Sequence, residues 1–456
     1  MTHFFAALSL VQSIVGILIP FTLVISILLI LQSTHTLYLM IYTWDQKEVN
    51  RKTQIPARFL APQKSFTVML PARHEEDVIQ TTIERVVRSH YPSHLLEVVV
   101  ICSVDDIGTI SQAQQKIAQL RGQGITNVKV AIFNDKPINK PHGLNVGLRS
   151  THSEIVTIFD AEDDIHPDIF NVVNTLMLEE HIPVIQCGVQ LMNYQSNWYS
   201  TLNVLEYFFW FKSRLHYHAR QQATPLGGNS VFFTRELLQQ VDGWDEHNLT
   251  EDADIGIRIS CLGVPMRVVY DDRYVTREET PPTLGHFIRQ RTRWSQGFLQ
   301  TLLKGDWKRL PTMQQRVLVF YTLTFPIAQA VLGIYVLAAL VMMITIKTPT
   351  LITIILDLPF YLLIAHFCLA VIGLYEFTTA HGLKPSAKTP FIMAVTYLPY
   401  QWVLSYAALR ATVRHLRGIN NWEKTQHIGA HRQELPALNT PFSVERHPES
   451  KERVLP

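Results

Sequence analysis

Long apolar runs lie at both ends of this chain, and a segment of mixed polarity separates them. The first run, residues 11–32, is long enough to cross a bilayer as a helix, because about 20 apolar residues span the hydrocarbon core. Near the other end, apolar runs cover residues 317–346, 351–376 and about 389–409. These runs predict one amino-terminal and three carboxyl-terminal membrane helices.

Between the apolar runs, short β-rich stretches alternate with helical patterns. Strands are predicted at 65–70, 96–102, 128–133 and 154–159, and helices around 76–90, 111–121 and 143–150. This alternation predicts an α/β fold in which a parallel sheet has helices on both faces. Ligands of such sheets bind beyond the carboxyl ends of the strands, so the residues that follow each strand are the candidates for function.

Two more helices, at residues 198–215 and 284–303, have amphipathic patterns. The aromatic face of the first fits either core packing or a membrane interface, and the sequence leaves both open. The second contains FIRQRTRWSQGF at 287–298, which places three guanidinium groups beside an indole. Such a segment either lies on anionic lipid or binds a diphosphate and a sugar.

Charged residues beside the apolar runs predict the orientation in the membrane, because basic loops stay in the cytoplasm. The flank of the first run, with Lys47, Arg51 and Lys52, places the following segment there. A second basic cluster favours a cytoplasmic tail and comprises Arg410, Arg414, Arg417, Lys424 and Arg432. Three carboxyl-terminal crossings would instead export the tail, so the crossing number stays open. Residues 433–456 are polar, and we expect them to be disordered.

Composition narrows the range of functions. The net charge of +2 predicts no nucleic-acid partner. The hydrophobic content of 47% is concentrated in the apolar runs, as in a membrane protein with a separate globular domain. The 4 cysteines are far apart in sequence and fit a reducing compartment better than a disulfide or metal site.

Polar residues follow the first three predicted strands. Glu75 comes shortly after the first strand and Asp105 after the second, where each could accept hydrogen bonds from a base or a ribose. Ordinary helix capping explains both carboxylates equally well. Lys140 follows the third strand just before a predicted helix start, a position that favours a phosphate group.

The fourth predicted strand runs directly into Asp160, Glu162, Asp163 and Asp164. Carboxylates at this density repel one another unless a cation lies among them. Oxygen ligands beside phosphates suit Mg²⁺ or Mn²⁺. The sequence therefore predicts a metal site here, with a solvated acidic loop as the alternative.

Two later segments complete the candidate set. Gly228 belongs to a glycine pair that precedes a predicted strand and allows close approach of the backbone. Thr250 is predicted to cap a helix whose first turn contains Glu251 and Asp252. Capping alone accounts for an acidic first turn, but it does not need this many carboxylates.

In this order, the segments resemble inverting, membrane-embedded glycosyltransferases of family 2, the group that contains cellulose, chitin, hyaluronan and mannan synthases. The resemblance covers about residues 65–300 and implies a GT-A-like sheet beside membrane helices. It differs at one place, because Glu162 stands where the family usually has the second aspartate of Asp-x-Asp. Which of Glu162 and Asp163 would bind metal stays open. The motifs that carry the resemblance are Asp160-Ala161-Glu162, Thr250-Glu251-Asp252 and Gln290-x-x-Arg293-Trp294.

The resemblance also implies a role for each candidate. Asp252 would be the general base with Glu251 beside it, and Gly228 and Trp294 would contact the acceptor. The donor would be a UDP- or GDP-sugar. Its implied site comprises Ala72, Glu75 and Asp105 for the nucleotide, Lys140, Gln290 and Arg293 for the diphosphate, and Asp160 with Glu162 for a bridging Mg²⁺ or Mn²⁺.

These implications predict a polysaccharide synthase that adds sugars to a growing β-glycan at the membrane. The alternative is transfer of a single sugar to a lipid, either a polyprenyl phosphate or diacylglycerol, and a third hypothesis is a non-catalytic transporter or scaffold. Membrane lipids are expected partners, and the expected location is a bacterial inner membrane. The predicted division is an amino-terminal membrane helix (1–48), a cytoplasmic catalytic domain (49–283), interfacial helices (284–312), membrane helices (313–410) and a cytoplasmic tail (411–456).

Overall fold

The computed structural model describes residues 2–45, 55–345, 349–423 and 431–432, with side chains of the first helix described over 19–44. Some of the sequence predictions fall outside these residues. They are the basic flank at Lys47, Arg51 and Lys52, the cation at Lys424, and the tail at 433–456.

The strands of the described part include those predicted from the sequence, and the predicted ends agree with β1 to β4 to within one residue. The strands are β1 (Phe66–Pro71), β2 (Leu96–Ser103), β3 (Val128–Phe133), β4 (Ile155–Ile158), β5 (Val184–Cys187), β6 (Val189–Leu191), β7 (Val231–Thr234), β8 (Met266–Val269) and β9 (Thr276–Glu278).

Helices cover the sheet and extend away from it, and a π-helical turn at Trp210–Arg214 joins α6 to α7. The helices are α1 (Thr2–Asp45), α2 (Ile79–Val87), α3 (Ile107–Gly122), α4 (Lys140–Arg149), α5 (Ile169–Glu180), α6 (Ser200–Phe209), α7 (Leu215–Arg220), α8 (Arg235–Gln240), α9 (Glu251–Cys261), α10 (Leu284–Lys304), α11 (Met313–Thr345), α12 (Thr350–Ala380) and α13 (Thr389–Leu416).

The main sheet has 7 strands in the order β3-β2-β1-β4-β7-β5-β8. Strands β3, β2, β1 and β4 are parallel, β7 is antiparallel to both of its neighbours, and β5 and β8 are parallel. The predicted parallel sheet is therefore confirmed as a mostly parallel one. Because Val231 at the start of β7 pairs with Ile158 at the end of β4, the loop before β7 reaches the edge where β4 ends.

Apolar layers on both faces of the sheet explain why its strands are mostly apolar in sequence. Phe66, Val68 and Leu70 of β1 belong to one buried cluster. Met69, between them, belongs to the cluster on the other face, with Ile101 of β2. Successive side chains of a strand point to opposite faces, so a strand covered on both faces has few polar positions.

The aromatic helix predicted at 198–215 is buried between the sheet domain and a membrane helix. Phe208 and Phe209 of α6 are in one apolar cluster with Leu374 and Phe377 of α12. A Cβ atom on Gly373 would lie 2.5 Å from the ring of Phe209, so the two helices are in close contact. Of the two alternatives for this face, core packing is the one that the structure shows.

Three segments of the described residues are long and apolar enough to cross a membrane: Ile19–Trp44 of α1, Met313–Met342 of α11 and Thr350–Ala380 of α12. Large apolar side chains such as Leu28 and Ile334 are exposed on them, as lipid contact requires. The third predicted carboxyl-terminal run, which forms α13, is not among these segments. The described residues therefore contain two carboxyl-terminal candidate spans, and the third crossing, at about residues 389–409, stays a prediction.

Contacts at both ends of α13 connect this helix to the rest of the protein. Just before the helix, the hydroxyl of Tyr194 donates to the carbonyl of Lys384 at 3.3 Å. Near its end, Nε of Arg414 donates to Oε1 of Gln296 in α10 at 3.2 Å. Because both ends of α13 meet the sheet domain or α10, the helix lies along that domain. If α11 and α12 alone cross the membrane, the chain returns to the side on which α11 began, in agreement with the predicted position of the basic tail.

Candidate active site

A cavity of about 430 Å³ opens beyond the carboxyl end of β4. It brings together side chains from strand ends, from the start of α9 and from α10, although these segments are far apart in sequence. The residues proposed from the sequence that line it are Lys140, Asp160, Glu162, Gly228, Glu251, Asp252, Gln290, Arg293 and Trp294.

Ala72, Glu75 and Asp105 lie at neighbouring strand ends and do not line this cavity. The amide of Ala72 donates to the carbonyl of Ile101 at 2.9 Å, and Glu75 is buried. Asp105 is exposed, and its Oδ2 lies 3.1 Å from a guanidinium nitrogen of Arg73. All three residues follow β1 or β2. Strand β1 lies beside β4 and β2 lies beside β1, so the three residues share the edge of the sheet with the cavity.

The ammonium group of Lys140 connects two sides of the cavity. Lys140 is the first residue of α4, and Asn139 caps the helix by accepting a hydrogen bond from the amide of His142. Nζ of Lys140 lies 2.5 Å from Oδ1 of Asp160 and 3.1 Å from the carbonyl oxygen of Gly228. Burial lowers the pKa of Lys140, but the charges of Asp160 and Glu251 outweigh this effect, and the net shift is upward. Lys140 is therefore a fixed positive charge.

The acidic loop after β4 divides its carboxylates between the cavity and the interior. Asp163 is fully buried, and its oxygens accept hydrogen bonds from Nδ2 of Asn229 at 2.9 and 2.8 Å and from the amide of Asp160 at 2.8 Å. Asp164 pairs with Arg85. Only Asp160 and Glu162 of this loop face the cavity. Glu162 is thus the second carboxylate of this loop on the cavity wall.

Glu278, at the end of β9, is a cavity residue that the sequence did not single out. Burial raises its pKa to about 8, and the charges of Asp160 and Glu162 add to the shift. Asn229 donates to both Glu278 and Asp163 and so connects β9 to the acidic loop. No motif marks Glu278, because the pairing of β9 with β6 is what brings it to the cavity.

A different group of potential metal ligands lies outside the cavity. Side-chain atoms of His74, Glu76 and Asp106 are within 4.8 Å of one another. Oδ2 of Asp106 accepts from the amide of His74 at 2.6 Å, and Oδ1 accepts from the amide of Thr109 at 3.3 Å. Both oxygens of Asp106 therefore satisfy backbone amides, which explains the cluster as a helix cap.

The carboxylates of Glu251 and Asp252 begin α9 as predicted, but Thr250 does not cap the helix through its side chain. Instead, Oγ1 of Thr250 donates to Oδ1 of Asn248 at 3.4 Å. Burial raises the pKa of Glu251 to about 7, with the charge of Asp252 adding to the effect. Burial also raises the pKa of Asp252. The two side chains form a coupled acidic pair inside the cavity.

Gly228 lies directly against this pair. A Cβ atom at position 228 would be 3.0 Å from Oδ2 of Asp252 and 3.6 Å from Nζ of Lys140. The absence of a side chain at 228 therefore keeps open the space between the acid and the amine.

Residues of α10 form another part of the cavity wall. Gln290 is buried, and its Oε1 has no hydrogen-bond partner among the residues described. The guanidinium carbon of Arg293 lies 4.4 Å from the ring centre of Trp422, a residue after α13 that the sequence did not indicate. The Nε atom of Arg293 is buried and lacks a partner within the described part of the chain.

The arginines of the FIRQRTRW segment differ in what they contact. Arg291 forms an ion pair with Glu206 of α6, and its guanidinium carbon lies 4.7 Å from the ring centre of Trp294. Tyr207 flanks the same indole, with ring centres 6.0 Å apart. Both arginines line the cavity, but Arg291 is held by its ion pair next to Trp294, whereas Arg293 packs against Trp422.

The cavity continues from Trp294 between the membrane helices. Its wall there includes Gln329 and Leu332 of α11, and Leu363 and His366 of α12. The π-helical turn at Trp210–Arg214 supplies part of the connection. This wall contains both polar and apolar groups, so it suits a ligand that has polar and apolar parts.

Comparison with known proteins agrees with this fold. The poly-β-1,6-N-acetyl-D-glucosamine synthase of Staphylococcus epidermidis is 21% identical over 377 residues, which are 79% of this chain and 86% of that protein. The β-monoglucosyldiacylglycerol synthase of Synechocystis sp. is 25% identical over 405 residues, 81% of this chain and 76% of that protein. Relatives thus include both polysaccharide synthases and lipid glycosyltransferases. For several other curated relatives, the chain spans only about half of the relative's length.

Among solved structures, the mannosyltransferase PcManGT from Pyrobaculum calidifontis, in complex with GDP-Man and Mn²⁺, has a similar fold. The two share 20% sequence identity with a TM-score of 0.50, over 87% of this chain and 99% of that one. The GT-A-like fold class is therefore confirmed. A family model described as glycosyltransferase like family 2 matches residues 62–297, just over half of the chain. The chain belongs to glycosyltransferase-like family 2.

Proposed function

We propose that this chain transfers a sugar from a UDP- or GDP-sugar to an acceptor at the membrane, with inversion at the anomeric carbon. One observation carries the proposal: Lys140, Asp160, Asp252 and Trp294 line the same cavity. Displacement at an anomeric carbon needs a stabilised leaving group, a base for the attacking hydroxyl and a surface that holds the acceptor. A cation, buried carboxylates and an aromatic ring in one enclosure can supply these three needs.

In this proposal the donor diphosphate lies between Lys140 and Arg293. Lys140 is at the amino-terminal end of α4, where the helix dipole favours an anion. Among the described residues, Nε of Arg293 and Oε1 of Gln290 have no hydrogen-bond partner. Both atoms could therefore form hydrogen bonds with a polar ligand. The nucleotide would contact the neighbouring strand ends at Ala72, Glu75 and Asp105.

Asp160 and Glu162 would hold Mg²⁺ or Mn²⁺. Their fit to a cation rests on charge, since Asp160 and Glu162 help to raise the pKa of the buried Glu278 to about 8. This mutual repulsion is what a divalent cation relieves. When bound, the ion would neutralise charge on the departing diphosphate. Asp163 is left out of the proposed ligands because its oxygens already accept hydrogen bonds from Asn229 and Asp160.

Asp252 would act as the general base. The acceptor oxygen would attack the anomeric carbon from the face opposite the diphosphate, while its proton moves to the carboxylate of Asp252. Attack from that face inverts the configuration. Burial raises the pKa of Asp252, and a base whose pKa is nearer to neutral accepts a proton more readily than an ordinary aspartate. Glu251 would tune this base through its charge.

The acceptor that we propose first is a growing β-glycan. Trp294 and Tyr207 form an aromatic wall, and a flat apolar face of a sugar ring can pack on it. The cavity continues from these rings to Gln329 and His366, which gives a lengthening chain a direction in which to leave. The resemblance to synthases with a Gln-x-x-Arg-Trp motif favours the same acceptor.

A lipid acceptor, such as a polyprenyl phosphate or diacylglycerol, is the second candidate. Leu332, Leu363 and Leu404 line the far part of the cavity, where an alkyl chain could lie. Only 3 segments of the described chain are candidate spans, which is few for a polymer path. The relative from Synechocystis sp., similar over most of the chain, is named as a lipid glycosyltransferase.

We further propose that the sheet domain lies in the cytoplasm of a bacterium and that α1, α11 and α12 cross its inner membrane. Arg410, Arg414 and Arg417 at the end of α13 favour a cytoplasmic position for that end. The domain boundaries predicted from the sequence are kept in this proposal, except that α13 belongs to the interface.

The experiment is nucleotide release by the purified full-length protein in nanodiscs. A panel of UDP- and GDP-sugars would be supplied with MgCl₂, MnCl₂ or a chelator. With at least one donor, we expect nucleotide release that depends on the acceptor. This release should be lost when the chelator replaces the metal salt. Products of a labelled donor separate the acceptors, because a glycan synthase gives a ladder of sizes and a lipid transferase gives one species. Absence of release with every donor and acceptor contradicts the proposal.

A further inference from the structure

Arg432, in the tail beyond α13, lies beneath the acidic loop that follows β4. Its guanidinium donates to the carbonyl of Ala161 at 2.8 Å and to that of Glu162 at 3.4 Å. It also donates to the carbonyl of Val78 at 3.0 Å and to Oγ1 of Thr82 at 2.7 Å. The guanidinium thus connects the acidic loop to α2 and the residue before it.

Two of the carbonyls that Arg432 binds, those of Ala161 and Glu162, belong to the segment that carries the two cavity-facing carboxylates. Ala161 separates Asp160 from Glu162, so the orientation of its peptide group sets the direction of both side chains. Thr82 donates to the same carbonyl of Ala161. A planar guanidinium with several donors can hold a peptide group in one orientation more firmly than a single hydroxyl can.

Charge adds to this geometry. The carboxylates of Glu162, Asp163 and Glu279 all act on the Arg432 guanidinium. Burial lowers the pKa of Arg432, and these carboxylates offset part of that effect. Arg432 therefore places a second positive charge next to the acidic loop, in addition to that of Lys140, which contacts Asp160. Without it, the loop carboxylates would repel one another more strongly and spread apart.

The neighbouring residue anchors the same stretch of tail. The side chains of His431 and Glu279 are buried, with Nδ1 of His431 3.7 Å from Oε2 of Glu279. Closer to α13, the carboxylate of Glu423 pairs with Arg410 and Arg414. The tail is therefore attached at two places, and Arg432 is the attachment that reaches the acidic loop.

We propose that Arg432 is a positioning residue for the divalent cation: it orients the Ala161 and Glu162 peptides so that Asp160 and Glu162 are directed together into the cavity. This inference rests on the metal site of the proposed function. It makes the carboxyl-terminal tail part of the donor site, although Arg432 itself touches neither donor nor cation.

The test is calorimetric titration of MnCl₂ into the full-length protein in nanodiscs, without donor or acceptor. Groups that orient metal ligands typically change metal affinity about 10- to 100-fold when removed, so Arg432→Gln should weaken Mn²⁺ binding by about that factor. Arg432→Lys keeps the charge but loses the planar guanidinium, so its affinity for Mn²⁺ should lie between those of the wild type and Arg432→Gln. Arg417→Gln, an exposed arginine of the same tail, should bind Mn²⁺ as the wild type does.

A thermal unfolding curve for each variant separates positioning from stability. A merely structural role predicts a lower unfolding temperature with unchanged Mn²⁺ affinity in the folded fraction, and this outcome overturns the inference. If Arg432→Gln does not fold, Arg432→Lys decides, because unchanged affinity in that variant also overturns it. A wild-type protein that binds no Mn²⁺ contradicts the proposed metal site itself, so the two failures are distinguishable.

Discussion

Oδ2 of Asp252 lies 3.0 Å from the point at which a side chain on Gly228 would begin. Gly228→Ala should therefore displace the proposed base or block the acceptor. A misplacement on the order of 1 Å can cost about 100-fold in rate, so kcat/KM should fall roughly 10- to 100-fold while nucleotide binding changes little. Steady-state kinetics and nucleotide titration measure the two effects. The control is Gly122→Ala, since a Cβ atom there meets nothing within 4 Å.

Asp252→Asn should remove the proposed base without changing the shape of the cavity. Turnover should fall by about 10²- to 10⁴-fold, the usual contribution of a general base, and the affinity for the donor nucleotide should be retained. The matched control is Asp242→Asn, because position 242 is exposed and has a positive φ that asparagine also adopts. Turnover close to that of the wild type in Asp252→Asn would remove the carboxylate from the mechanism.

The pH dependence of kcat/KM reports on the acidic pair of Glu251 and Asp252. Burial and the charge of Asp252 raise the pKa of Glu251 to about 7, so activity should rise as pH increases through that value and the pair ionises. Glu251→Gln removes a negative neighbour, which lowers the pKa of Asp252 and moves the rise to lower pH. An unshifted profile contradicts the coupling, and complete inactivity would assign the base to Glu251.

The parts of the fold that the sequence could predict are those in which burial leaves a pattern. Strands β1 to β4 have apolar clusters on their faces, so each is a mostly apolar run, and its carboxyl end marks where candidate site residues follow. Lys140 and Asp160 could be placed at one edge because parallel strands end together. The number of crossings could not be predicted, because an apolar run such as that of α13 does not tell whether a helix crosses a membrane or lies along a domain.

The details that could not be predicted depend on partners far away in sequence. Asp163 and Glu162 are adjacent carboxylates, but Asn229 binds Asp163 inside the protein and leaves Glu162 in the cavity. Glu278 reaches the cavity through strand pairing that no local motif signals. Arg291 and Arg293 look alike in sequence, and a carboxylate on another helix determines which of them is held by an ion pair.

Arg293 and Trp294 are neighbours in α10, but they are proposed to contact different substrates. Arg293→Ala should weaken donor binding about 10- to 100-fold, since hydrogen bonds between charged groups contribute about 1.5–3 kcal/mol each. Trp294→Ala should leave the donor KM nearly unchanged and raise the acceptor KM roughly 3- to 10-fold, the range expected for one aromatic contact. Equal losses for donor and acceptor in Trp294→Ala would count against its contact with the acceptor.

Electron cryomicroscopy of Asp252→Asn in nanodiscs, with an intact nucleotide-sugar and MnCl₂, tests most directly whether these residues form one donor site. The account predicts density for the diphosphate between Lys140 and Arg293, a metal peak at Asp160 and Glu162, and the anomeric carbon facing position 252. Density for the metal at His74, Glu76 and Asp106, or for the nucleotide outside the cavity, would contradict it.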